Sequence, residues 1–116
     1  MNEFDTPIFK KSYDLYKVFY GYRADVPKQD RYTIWQKCET LMVEMLECIL
    51  LAGQTAKAEK LPALEEASMK INLLRVFVRL MLDVKAIDNK KYIALESKID
   101  EIGRMLGGWI KSTKER

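Results

Sequence analysis

The sequence predicts an all-α protein: an antiparallel up-down-up-down four-helix bundle, formed as a single domain by residues 1–116. Three observations lead there. Apolar residues recur at steps of three and four through four stretches, the period of a helix that buries one face. Proline, glycine and Asx breakers separate those stretches, and none alternates with the period of two that marks a half-buried strand. The composition, 48% hydrophobic and 32% charged with five Gly and three Pro, is that of a helix-rich globular chain and excludes disordered and low-complexity classes. With 116 residues there is room for one compact domain and not for two.

The first helix starts at Thr6-Pro7, a hydroxyl N-cap followed by proline at the first helical position, and runs to about Arg23. It carries Phe9, Tyr13, Tyr16 and Tyr20 on one stripe, read as packing, with Ile8, Leu15, Phe19 and Tyr22 beside it. Residues 24–29 form a loop, because residues before a proline avoid the α region. Asp30 is placed to cap the second helix, which carries Ile34, Cys38, Leu41, Met45, Cys48 and Ala52 on its apolar face and meets a glycine stop at Gly53. A polar connector leads to Leu61-Pro62, where the third helix begins and continues to about Val84. Asp88 is the cap expected for the fourth helix, whose Tyr92, Leu95, Ile99, Ile102, Leu106 and Trp109 form a heptad-like seam. Short connections between amphipathic helices make consecutive helices antiparallel neighbours.

The third helix has more apolar surface than a lone bundle needs. Leu64, Ala67, Ile71, Leu74, Val78, Met81 and Leu82 share one face of its wheel, enough to face the bundle. Met69, Leu73, Val76, Phe77, Leu80 and Val84 form a second apolar stripe, and Glu65, Ser68, Asn72, Arg75, Arg79 and Asp83 fill a narrow polar sliver. Two stripes imply burial on two sides. In so small a domain the second cover is most simply another subunit, with Val76, Phe77 and Leu80 as its interface, although a helix central to a flattened bundle has the same pattern.

No catalytic constellation is visible. There is no histidine, which removes the commonest general base and zinc ligand. Ser12, Ser68, Ser97 and Ser112 have nothing to activate them, and adjacent carboxylates such as Glu65/Glu66 and Asp100/Glu101 diverge by about 100° on a helix. Glu96 and Asp100 share a face and read as a solvated stripe. Phosphate-binding glycine loops, CxxC pairs and di-metal Glu-x-x-His motifs are absent. The expectation is a protein that is not an enzyme and uses no metal or cofactor. Cys38 and Cys48 lie about 15 Å apart along one helix, too far to pair, and read as buried free thiols. Together with an N-terminus, Met1-Asn2-Glu3-Phe4-Asp5, without basic or apolar signal-peptide regions, and with no run long enough to cross a membrane, they point to the cytoplasm.

Charge is the remaining signal. The net charge is +3, and all of the excess lies in residues 103–116, where Arg104, Lys111, Lys114 and Arg116 face only Glu115. Arg104 and Lys111 share one face of the fourth helix, and Arg75 and Arg79 form an i, i+4 pair in the sliver of the third. These four residues are the candidates for nucleic-acid or partner contact; the plainer reading is a solvated face. A symmetric assembly would repeat the patch around its axis and add the fields. The tyrosines of the first helix, set among Lys10, Lys11 and Lys17, have a weaker claim as base-stacking platforms. Gly103, Gly107 and Gly108 lie in or at the end of the fourth helix. Either a neighbouring backbone approaches at Gly103 and Gly107, or the helix ends near Gly107 and the glycines cap it.

Residues 95–112, with Gly103-Arg104-Met105-Leu106-Gly107-Gly108-Trp109 at their centre, resemble the C-terminal signature of the Avd-like four-helix bundle proteins, the accessory variability determinants of diversity-generating retroelements. Arg31-Tyr32-Thr33-Ile34 with Gln36-Lys37, and the helix-three pattern of Ala67-Ser68, Leu73-Leu74-Arg75 and Arg79-Leu80, agree. The resemblance extends from the first helix to Ser112 and departs at Ile34-Trp35, where relatives more often carry Leu-Gly. It implies a non-catalytic homopentameric barrel of bundles with a basic surface, which binds the retroelement reverse transcriptase and RNA or DNA and supports mutagenic copying of a template RNA. The four-helix bundle proteins encoded within ribosomal RNA intervening sequences share the fold and are the alternative family, and a scaffolding homo-oligomer without a retroelement role is the alternative function.

Overall fold

The computed structural model describes residues 6–115. Residues 1–5, on which the signal-peptide expectation rests, and Arg116, one of the four C-terminal cations, lie outside the described residues. Four long helices account for most of the chain: α1 (Pro7–Gly21), α3 (Ile34–Gln54), α4 (Leu61–Asp83) and α5 (Asn89–Lys114), with one short turn of helix, α2 (Lys28–Arg31), between the first two. No strand occurs among the described residues, so the protein is all-α. α1 packs on α3 and α5, and α4 packs on the same two helices from the other side. The result is a rod of 48 × 22 × 21 Å.

Most helix ends follow local chemistry readable in the sequence. The Thr6 side chain accepts from the Phe9 N–H (3.4 Å) and Pro7 opens α1. Pro62 sits in the first turn of α4, and the Asp88 carboxylate accepts from the Lys91 N–H at 2.8 Å to cap α5. Three boundaries differ. α1 ends at Gly21 and a 3-10 turn, Arg23–Asp25, follows. Asp30 does not cap the second long helix, because Pro27 starts the extra turn α2 and leaves Asp30 inside it; Thr33 is the residue before α3. The Arg31 guanidinium holds this corner by donating to the carbonyls of Val26 (2.9 Å) and Ala24 (3.1 Å). At the far end of α3, Gly53 is not a left-handed stop. The helix continues to Gln54, and the Thr55 hydroxyl donates to the Leu51 carbonyl at 2.6 Å where the chain becomes extended.

The end of α4 is a Schellman motif built without glycine. The Ala86 N–H reaches back to the Met81 carbonyl (2.8 Å), the Lys85 N–H to Leu82 (3.0 Å), and Lys85 takes the left-handed conformation with φ 64°.

The core keeps most of the predicted set, but Ile34, Leu82, Tyr92 and Trp109 are only half-buried, Trp35, Met42 and Ile49 join it, and the α1 face is revised. Cys38, Leu41, Met45, Cys48 and Ala52 of α3 are buried, as are Leu64, Ala67, Ile71, Leu74, Val78 and Met81 of α4 and Leu95, Ile99, Ile102 and Leu106 of α5. On α1 the buried line is Ile8, Ser12, Leu15 and Phe19, with the Ser12 hydroxyl satisfied by the Ile8 carbonyl (2.8 Å). The stripe beside it divides: Phe9 and Tyr16 are half-buried against the core, whereas Tyr13 and Tyr20 are 51% and 62% exposed. Trp35 is buried and stacks on Phe19 with ring centroids 4.6 Å apart.

Candidate nucleic-acid and subunit interfaces

α4 divides its circumference three ways. The core face is described above. On the outer face Met69, Leu73, Val76, Leu80 and Val84, spaced by three and four, are all exposed, Val76 most of all at 62%. Their span is about 22 Å at 1.5 Å per residue. A continuous apolar row of that length on a lone helix face is unusual for a surface that meets only water. Phe77, which the sequence groups with this stripe, is half-buried against the core with the Lys37 ammonium over its ring at 5.9 Å, so it marks the edge of the stripe toward α3 rather than its centre.

The polar sliver of α4 faces α5. Arg75 pairs with Asp100 (3.4 Å), and Arg79 with Asp83 (3.0 Å) while its guanidinium covers the Tyr92 ring at 6.0 Å. The Asp83 hydrogen bond holds the Arg79 guanidinium even more firmly protonated, and a hydrogen bond to Glu96 raises the Tyr92 phenol above its ordinary value. Arg75, Val78, Tyr92, Glu96, Ile99 and Asp100 line a groove of about 230 Å³ between the two helices. The structure thus places Arg75 in this groove and Arg79 outside it, over the Tyr92 ring, with a carboxylate against each. Arg104 and Lys111 differ: both are exposed on α5 and, among the described residues, neither is in an ion pair. Arg104 lies one turn beyond Asp100 on the same face, which links the groove to the basic end of α5. Near that end Lys60 adds a cation over the Trp109 ring at 5.2 Å.

Neither expected role of the glycines holds. α5 does not end at Gly107 but continues to Lys114, so these glycines are not its cap. At Gly103 the close neighbour is a side chain, the Arg75 guanidinium, and not a backbone; a Cβ at Gly107 or Gly108 would meet nothing within 4 Å. The pairing of Gly103 with Arg75 was hidden in the sequence because its two members lie on different helices, and only the unexplained mid-helix glycine hinted at it.

The tyrosine face of α1 forms a second exposed surface. Phe9 stacks on Tyr13 (6.1 Å), Lys17 lies over the Tyr13 ring (5.3 Å), and a shallow groove passes Tyr13, Tyr16, Lys17, Tyr20 and Leu46. The Tyr16 hydroxyl donates to Glu39 at 2.8 Å, which raises its pKa and ties α1 to α3. Both cysteines are free, and burial pushes Cys38 up to about 12 and Cys48, with help from Glu66, up to about 11. Among the described residues no group of three Cys, Asp or Glu side chains could hold a metal ion, and no helix is long and apolar enough to cross a membrane.

No curated protein matches the chain. A family model described as bAvd-like matches residues 7–113, from the first residue of α1 to the last turn of α5. Over that span lie the helices, the outer stripe of α4 and the groove at Arg75, and the chain belongs to the bAvd-like family.

Proposed function

We propose that this chain is a non-catalytic accessory protein of a diversity-generating retroelement, which assembles as a homopentamer in the cytoplasm and binds the reverse transcriptase and nucleic acid during mutagenic copying of a template RNA. Family membership over residues 7–113 is the observation that carries this reading. Two features of the surface support it. The outer stripe of α4 supplies an apolar face of the kind a subunit contact covers, and Arg104 and Lys111 of α5 supply charge that, among the described residues, no ion pair neutralises.

The bundle itself is proposed to be antiparallel and up-down-up-down. The order of contacts supports this: Lys11 meets Glu101 while Tyr22, just past the end of α1, meets Lys91, earlier in α5. The same inversion relates Cys38–Met81 to Cys48–Glu66 across α3 and α4, and Lys60–Trp109, with Lys60 just before α4, to Arg79–Tyr92 across α4 and α5. Binding to nucleic acid would then be independent of sequence, since no element is shaped to read base edges. It would weaken with salt at a log-log slope of about −0.7 per phosphate neutralised on single strands, or about −0.9 on duplex DNA.

One observation favours a second reading, a scaffolding oligomer without a nucleic-acid role: Arg75 and Arg79 are each occupied by a carboxylate. Titration of fluorescent RNA and DNA with the protein and with an Arg75→Ala, Arg79→Ala, Arg104→Ala, Lys111→Ala variant decides between them. The proposed function requires the variant to stay folded, bind more weakly and show a flatter salt slope. Unchanged binding and slope in a folded, assembled variant would give the lead to the scaffold. A reverse transcriptase gene and a template/variable repeat beside this gene test the retroelement assignment directly.

A further inference from the structure

Gly103 lies in the interior of α5, with eleven helical residues still to follow, where glycine is less favourable than every residue but proline. Its backbone does not require it, since no described glycine has positive φ. Space does. A Cβ at position 103 would overlap the Nη2 end of Arg75 and touches nothing else but that side chain's Cζ at 3.5 Å. Gly107 and Gly108, on the same helix, have open space at the corresponding position. The missing side chain at 103 therefore has one beneficiary, the guanidinium of a residue on the neighbouring helix. That guanidinium is held at its other nitrogen by Asp100 (Nη1 to Oδ1 3.4 Å), and the Arg75 side chain remains 43% exposed. A guanidinium has five N–H donors in a fixed plane, so one 3.4 Å contact with a carboxylate leaves donors free on its outer edge. The residue after Gly103 is Arg104, exposed and in no ion pair among the described residues, which shares the Asp100 face of α5.

We propose that Gly103 is a positioning residue for nucleic-acid binding: it makes room for the Arg75 guanidinium to lie flat on α5, fixed by Asp100 beside Arg104, so that α4 and α5 present one phosphate-binding edge. The proposal rests on the nucleic-acid reading above and specifies the site within it. Arg75 would otherwise be a flexible chain over a groove that also contains Glu96; lying in the Gly103 seat, its free donors and those of Arg104 face the same phosphate chain.

The obstructing atoms are the far end of a flexible side chain, so Gly103→Ala evicts Arg75 without disturbing the core, and the variant is expected to melt no lower than the parent protein. The test measures binding of a fluorescent 20-nucleotide oligouridine RNA across a salt series for the full chain and its Gly103→Ala, Arg75→Ala and Gly103→Ala/Arg75→Ala variants. Each single variant is expected to lose affinity on the order of threefold to tenfold and about 0.7 of the salt slope, as for one phosphate contact. The double variant should bind no more weakly than Arg75→Ala alone, because a seat without an occupant has nothing left to position. The Arg75 Nε–Hε NMR signal reports the seat separately and should move on Gly103→Ala in the absence of RNA.

Gly103→Ala binding as well as the parent while Arg75→Ala is impaired would overturn the proposal, as would losses that simply add in the double variant. An unmoved Arg75 signal, or a Gly103→Ala protein that loses its helical structure, would also overturn it. If the parent protein itself shows no salt-dependent binding, the nucleic-acid reading fails and this site fails with it. If the parent binds and Arg75→Ala binds equally well, the site alone is wrong.

Discussion

Replacing Val76 and Leu80 by glutamate should break the proposed assembly, and the structure sets the size of the effect. Met69, Val76 and Val84 expose more than half of their surface and Leu73 and Leu80 about two-fifths. The stripe thus leaves the equivalent of about two and a half apolar side chains in water, worth about 4–8 kcal/mol if fully covered at about 1.5–3 kcal/mol each. A comparable face on the neighbouring subunit doubles this, against an association cost of about 4–15 kcal/mol. A complex in the micromolar range, about −8 kcal/mol, is what such a surplus sustains together with polar contacts. Val76→Ala with Leu80→Ala removes about one exposed side chain's worth, about 1.5–2 kcal/mol, or about 10- to 30-fold in dissociation constant. The glutamate pair adds the cost of an unpaired charge at a dry contact and should leave monomers at tens of micromolar. Phe77 is the poorer choice, because its half-buried ring also contributes to the core and a failed assembly would be confounded with a failed fold. Light scattering and sedimentation velocity across a concentration series read the result. A parent protein that is already monomeric, or a glutamate variant that assembles like its parent, would refute the reasoning.

Lys85→Gly should stabilise the protein by about 0.5–1 kcal/mol, since it relieves a left-handed residue costing about 1–2 kcal/mol and gives back about 0.5–1 kcal/mol of glycine entropy. Thermal melting should rise by roughly 2–5 °C for that gain, and no rise, or an equal rise for Lys85→Ala, would show that the φ of 64° carries no strain. The two thiols, raised by burial, favour the protonated folded form, so their contribution is complete below the unfolded value of about 9 and is lost as pH rises toward 11 for Cys48 and 12 for Cys38. Native protein at pH 8 should therefore resist iodoacetamide at both cysteines and become reactive in urea; rapid native labelling of Cys38 would contradict its burial.

The helices and their faces were legible in the sequence because each face is a local periodicity. The seam of Leu95, Ile99, Ile102 and Leu106 needs no knowledge of a partner to be read as buried, and the Thr6 and Asp88 caps are decided within four residues of chain. What failed was decided at a distance or by competition among neighbours. Asp30 has a cap's chemistry, but Pro27 starts a helical turn three residues earlier and captures it. Gly53 suits a C-cap, but Thr55 closes the helix through its own hydroxyl. On α1 two apolar stripes compete for one core, and the slimmer Ile8–Leu15–Phe19 line with its hidden Ser12 wins, leaving Tyr13 and Tyr20 outside and Tyr16 half-buried. The candidate site shows the same division. Its four cations were visible, and Asp83 holds Arg79 from within α4 itself, yet the carboxylate that holds Arg75 and the glycine on which Arg75 rests depend on the pairing of α4 with α5, which no single helix encodes.

The apolar stripe and the arginine edge of Arg75 and Arg79 are separate sides of α4, and this separates assembly from binding in a measurable way. Phe77 and Lys37 place the stripe toward α3, whereas Arg75 and Arg79 reach toward Asp100 and Tyr92 of α5. Covering the stripe with another subunit therefore leaves the groove open, and a monomeric Val76→Glu/Leu80→Glu chain keeps its own phosphate contacts. What the monomer loses is the neighbouring patch held at high effective concentration, a gain that can reach about 10²–10⁴ in avidity without any new contact. On a short RNA that reaches only one patch, the monomeric variant should match the parent protein in affinity and salt slope. On an RNA long enough to span several patches it should bind far more weakly, and its slope should fall to that of the short RNA. Equal loss on short and long RNA would place the stripe itself in contact with nucleic acid. Equal binding to both would show that the subunits act independently and that the summed field of the ring contributes nothing.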